Sequence, residues 1–188
     1  MTAYHEQIRR YIELEKAVLD SLSVEDINTV INVLEAARES GHRIYVCGNG
    51  GSASTAAHFE CDFSYGPGAN MPKGFRMECL CNNMATVMAV SNDIGYEDVF
   101  FVQLQNRLQE GDVVIAISGS GKSENVIRAL RYGNSVGAET VAFTGYDGGT
   151  LKSIAKYSIH VPLDFMQMVE DVHLMLNHML ISVLARII

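Results

Sequence analysis

Short apolar runs closed by Gly, Ser or Asn, each separated from the next by a helical stretch, constrain this chain more than any other feature. The runs are Arg43–Cys47, Phe75–Leu80, Val113–Ile117, Thr140–Phe143 and Tyr157–Val161, with helical stretches at 52–63, 84–91, 98–109, 123–136 and 149–155 between and beside them. Strand-length runs joined through helices must cross over, which makes the strands parallel and covers both sheet faces. Upstream, residues 4–39 read as two helices. Ile8, Tyr11, Ile12, Leu14, Val18 and Leu19 follow a helical period; Ser23 caps a second helix carrying Ile27, Val30, Ile31 and Leu34, which stops at Ser40-Gly41. A last helix runs from about Phe165 to Ile187. The one Gly/Pro-rich stretch, Tyr65–Gly74, reads as a surface loop. The expectation is one domain over 1–188: N-terminal helices in 1–40, an α/β core in 41–163 and a C-terminal helix in 164–188.

With 188 residues, 48% of them hydrophobic, the chain can bury a core of its own. Lys+Arg 14 against Asp+Glu 22 gives 14 − 22 = −8, which argues against nucleic-acid and anionic-membrane binding. A small anion remains open, because backbone N–H groups and hydroxyls can hold a phosphate. Cys79-Leu80-Cys81 is one residue short of Cys-x-x-Cys, and Cys47 and Cys79 close apolar runs, so the thiols read as reduced and structural. The charged N-terminus lacks a signal core and no run approaches a membrane span, so the protein is expected in the cytoplasm.

Two loops carry the chemistry. The first strand ends in Gly48-Asn49-Gly50-Gly51-Ser52-Ala53, a match to the dinucleotide pattern Gly-x-Gly-x-x-Ala that also suits any tight strand–helix turn. The third ends in Ser118-Gly119-Ser120-Gly121-Lys122-Ser123, placing hydroxyls and backbone N–H groups at the positive end of a helix. That loop nearly matches a nucleotide P-loop but lacks its first glycine. Both lie at carboxyl ends of strands, where open parallel sheets bind ligands.

Together the loops resemble the sugar isomerase (SIS) domain family, and within it the phosphoheptose isomerases. The resemblance is carried by Cys47–Ser52, His58-Phe59, Ser91–Asp93 with Gly95-Tyr96, Gly111–Val126, Thr144-Gly145 with Asp147–Gly149, and Glu170–His173 with His178. It implies a flavodoxin-like three-layer α/β/α fold on a five-stranded parallel sheet behind an N-terminal helical hairpin, usually as a homotetramer. It implies aldose–ketose isomerisation of sedoheptulose 7-phosphate through an enediolate, with Ser118, Gly119, Ser120 and Ser123 around the phosphate and Ser52 nearby. Asn49, Gly50, Gly51, Asn92 and Asp93 would meet the sugar. Metal and catalytic positions fall on His58, Asp62, Glu170 and His178, with zinc as the implied metal. Where the family usually carries Glu, this chain has Asp62, and where it carries Gln, this chain has Glu170. Either acid could then be the base. A non-catalytic module that senses a phosphosugar or binds a protein is the alternative, and a nicotinamide enzyme would leave the serine loop unexplained.

Read by chemistry alone, His58 and Asp62 are i, i+4 on one helix face, which suits zinc, an acid–base pair or a plain surface hydrogen bond. Glu170, His173 and His178 span an arc of about 140° on the last helix, and Glu170 and His178 lie roughly 12 Å apart along its axis. Glu170 and His178 share an ion only if their side chains lean together. His173 fits a core or interface position.

Overall fold

The computed structural model describes residues 3–188. Helices α1 (His5–Asp20) and α2 (Val24–Ser40) form the N-terminal hairpin. The Ser23 hydroxyl accepts the Asp26 N–H at 3.1 Å to start α2, and Gly41, at φ 76°, ends it in the left-handed region. There follow β1 (Arg43–Gly48), α3 (Gly51–Glu60), β2 (Arg76–Cys79), α4 (Met84–Asp93), α5 (Val99–Gln105), β3 (Val113–Ser118), α6 (Glu124–Val136), β4 (Glu139–Thr144), α7 (Gly149–Ile154), β5 (Tyr157–His160) and α8 (Met166–Leu184).

The five strands are parallel in the order β2-β1-β3-β4-β5, the flavodoxin-like arrangement. Ile44 pairs with Val113 across β1 and β3, and Val113 with Glu139 across β3 and β4. Alternation splits the core into two layers. Ile44, Val46, Ile115, Ile117 and Phe143 pack under α2, α3 and α8, while Tyr45, Cys47, Val114, Ala116 and Ala142 pack under α4 to α7. The chain leaves β1 toward β2 on one side and returns to β3 on the other, so a crevice opens at the carboxyl ends of β1 and β3.

Some boundaries differ from the sequence reading. The helix after β1 does not stay α-helical to residue 63: Cys61–Tyr65 widen into a π-turn closed by the Gly66 N–H on the Cys61 carbonyl at 2.8 Å. The loop at 65–74 contains a 3₁₀ turn, Pro67–Asn70. The helix expected over 98–109 is only Val99–Gln105, preceded by a 3₁₀ turn at Tyr96–Asp98. All four cysteines are free, and burial pushes the Cys47 thiol well up. Cys79 is likewise pushed up, by its hydrogen bond with Cys81 and by burial. No helix among the described residues is long and apolar enough to cross a membrane.

Candidate active site

The crevice is floored by the two loops. Gly48 is required by close approach: a Cβ there would stand 2.7 Å from the Ser52 carbonyl oxygen. Gly121, at φ +64°, combines a left-handed backbone with a Cβ position that would run into the Gly148 carbonyl. These glycines let β1 turn directly into α3 and let the serine loop lie against the loop after β4. An asparagine pair ties the two loops together. Asn49 Nδ2 donates to Asn125 Oδ1 at 2.9 Å, and Asn125 Nδ2 donates back to Asn49 Oδ1 at 2.9 Å. Tyr96 adds its hydroxyl to Asn49 Oδ1 at 2.6 Å. Asn125 and Tyr96 had no expected role, although both sit in the stretches that carried the family resemblance.

Ser52, Ser118, Ser120 and Ser123 converge on a cavity of about 100 Å³, walled also by Asn49, Met166 and Glu170. Ser118 and Ser123 hydroxyls lie 3.4 Å apart, and Ser123 precedes the first turn of α6. So small a space takes a compact headgroup and leaves the remainder of a ligand outside. The Lys122 side chain turns away to pair with Asp147 at 3.0 Å, so the cavity relies on hydroxyls, N–H groups and the α6 dipole. Cavities of about 410 and 550 Å³ occur elsewhere, one beside the end of α8 and one at the opposite end of the sheet, both away from this crevice.

A second cluster lies further along α3 and α8, which run side by side. His58 Nε2 and His178 Nε2 are 2.9 Å apart. Asp62 Oδ2 stands 3.3 Å from the first and 3.7 Å from the second. Asn177 Nδ2 donates to the same oxygen at 2.7 Å. His58 and His178 are 43% and 53% exposed and Asp62 16%, so the cluster opens to solvent with its carboxylate at the back.

Glu170 is not part of this cluster. Its carboxylate packs against Gly51 at the start of α3 and walls the serine cavity, so the two acids are not side by side. The reason is the axial rise between Glu170 and His178, which their side chains do not close. Gly50 precedes α3, Gly51 begins it against the Glu170 carboxylate, and Gly119 lines the cavity. Asn92 and Asp93, at the end of α4, bond to one another at 2.7 Å and do not wall it. His173 is buried, its ring edge-on to Phe143 and neither nitrogen hydrogen-bonded; burial lowers its pKa to about 4.

His58, Asp62 and His178 each offer one ligand atom, all within 4.8 Å of one another. Two imidazole nitrogens and a carboxylate oxygen, with an open side, are the donor set of many catalytic zinc sites. The separations of 2.9, 3.3 and 3.7 Å bracket the edge of a tetrahedron with bonds of about 2.0–2.1 Å, roughly 3.4 Å. The three side chains fit zinc.

The SIS domain is matched over residues 3–145. The probable phosphoheptose isomerase of Thermoplasma acidophilum is 32% identical over 94% of this chain and 96% of its own. The phosphoheptose isomerase of Helicobacter pylori is 34% identical over 92% and 88%. Among solved structures, a phosphoheptose isomerase from Francisella tularensis superposes with a TM-score of 0.89 at 25% identity, covering 98% of this chain and 100% of that one. The chain belongs to the SIS-domain family, among the phosphoheptose isomerases.

Proposed function

We propose that this chain interconverts sedoheptulose 7-phosphate and glycero-manno-heptose 7-phosphate through an enediolate. The carrying observation is a hydroxyl-lined cavity beside the start of α3 and α8 and an acid–imidazole cluster further along the same two helices. The interval suits the substrate. From Glu170 to His178 the helix rises roughly 12 Å. A seven-carbon chain and its phosphate, built from bonds of about 1.5 Å, reach a similar length when extended.

In this reading Ser118, Ser120 and Ser123 hold the phosphate, with Gly119 and Ser52 beside it, and that anchor fixes which carbons reach the cluster. Asn49, Gly50 and Gly51 meet the sugar between the cavity and the cluster, where Glu170 accepts hydrogen bonds from its hydroxyls; Asn92 and Asp93 serve the sugar's outer side. Asp62 takes the carbon-bound proton, and His178 gives one to the carbonyl oxygen, an imidazole being able to shuttle protons near neutral pH. Zinc held by His58, Asp62 and His178 would take His178 Nε2 as a ligand, and in place of its proton would supply the positive charge that the sugar's oxygens need as they become anionic. Four free thiols support a reducing, cytoplasmic setting. The chain works as a homotetramer.

Assay of the purified protein against ketose phosphates, with product identified by NMR, tests the reaction. His178→Ala should abolish turnover and leave phosphosugar affinity nearly intact, because the serine cavity is separate. Asp62→Asn should lower kcat steeply whatever the zinc concentration. Tight binding of the sugar phosphate by the wild type without turnover would replace the enzyme with a sensor.

A further inference from the structure

We infer that Asn177 is the positioning residue for Asp62, holding a carboxylate that is too short to hold itself in place. This rests on the reading of His58, Asp62 and His178 as the reacting cluster.

Asn177 sits on the inner face of α8 and is fully buried. Its Nδ2 donates at 2.7 Å to Asp62 Oδ2, the oxygen that faces both imidazoles at 3.3 and 3.7 Å. One amide thus tethers the atom on which the whole cluster converges. Its other polar atom, Oδ1, is buried with no hydrogen-bond partner. A buried acceptor left unpaired destabilises the fold, and an apolar side chain of the same size would pack on this greasy helix without that cost. Its neighbours on the helix, Leu176 and Leu180, are also fully buried.

The amide's orientation is settled by the carboxylate: turned over, Oδ1 would face Asp62 and two acceptors would repel. Asp62 itself needs such a tether. It begins its path from a π-turn, with a side chain one methylene shorter than glutamate, and both of its imidazole neighbours are half exposed. A charge-assisted bond from a rigid, buried donor fixes the carboxylate where the exposed histidines cannot. Asn177 does not reach the crevice, so it acts through Asp62.

The test is Asn177→Leu, with Asn177→Ala as the second variant should leucine not fold, each measured for melting temperature, kcat, KM and Zn²⁺ affinity by titration calorimetry. Asn177→Leu should hold or raise the melting temperature, since the orphaned acceptor goes. It should lower kcat tenfold to a hundredfold while KM for the sugar phosphate stays within about twofold. Zn²⁺ binding should weaken, and Asp62→Glu added to Asn177→Leu should recover part of kcat, because the longer side chain reaches the imidazoles from a different rest position. Unchanged kcat and unchanged Zn²⁺ affinity would overturn the inference. So would a melting temperature that falls in step with kcat and is not accompanied by any rescue, for that is the mark of a packing residue. Failure of the underlying reading shows separately, as a wild type without turnover; the Zn²⁺ titration then decides the role of Asn177 alone, and equal affinity in wild type and variant overturns it.

Discussion

Ser120 is the hydroxyl whose removal asks least of the fold and most of the ligand. It is partly exposed, and its one intramolecular bond is the Lys122 N–H at 3.2 Å. A hydrogen bond to a charged group contributes about 1.5–3 kcal/mol, so Ser120→Ala should weaken sugar-phosphate binding roughly tenfold or more with little change in melting temperature. Unchanged affinity in a calorimetric titration would remove the serine loop from the phosphate site. His173 makes the opposite kind of residue, buried and away from the crevice. Burial lowers its pKa from 6.5 to about 4, so the folded protein resists its protonation. As pH falls below about 6.5 the unfolded chain takes up the proton first, and stability declines until the folded ring titrates near 4. The loss from this ring is about 3 kcal/mol at most. His173→Leu should therefore flatten the pH dependence of urea unfolding between pH 6.5 and 4 while changing little at pH 8. Parallel curves for the two proteins would show that the buried ring is not the titrating group.

Elements, unlike contacts between them, were legible along the chain. Ser23 before an apolar period, Gly41 after it, and strand runs closed by small residues each act locally, so the hairpin, the parallel sheet and both loops follow from neighbouring residues. The π-turn at Cys61–Tyr65 had no such signal, because one extra residue per turn is dictated by what α3 meets rather than by its own composition. The site divides the same way. His58 and Asp62 share a turn and could be paired from spacing. Asn177 meets Asp62 only because α8 lies along α3, across a separation of 115 residues. Glu170 shows the limit from the other side. The family pattern groups it with the histidines, whereas rise along α8 sets its carboxylate against Gly51, on the wall of the serine cavity. Which of two acids on neighbouring helices reaches a given atom is a matter of tertiary docking, and periodicity carries no information on it.

At the scale of the whole molecule the unbalanced element is α1. It buries only Val18 and is tied to α8 through Tyr11, whose hydroxyl bonds Asp171 and whose ring meets Phe165 edge-on at 5.9 Å. Its other face presents Ile8, Ile12 and Leu19, 57%, 46% and 36% exposed, at helical spacing. An amphipathic helix with its apolar stripe outward gains by packing on a copy of itself, at about 25 cal/mol for each Å² of apolar surface removed from water. A net charge of −8 opposes association at long range, but salt screens it within about 10 Å while the apolar contact is unaffected. A stripe that packs on its own copy makes a two-fold contact, so such an assembly holds an even number of chains, and four is the expected size. Light scattering at micromolar concentration should return a mass near four chains at moderate salt. Replacing Ile8 and Ile12 together by glutamate should lower that mass to two chains or one without unfolding the protein, since neither side chain belongs to the buried core. Circular dichroism on the same sample checks the fold. A wild type that scatters as a single chain, or a double variant that stays at the wild-type mass, would mean that the α1 stripe is not where the chains meet.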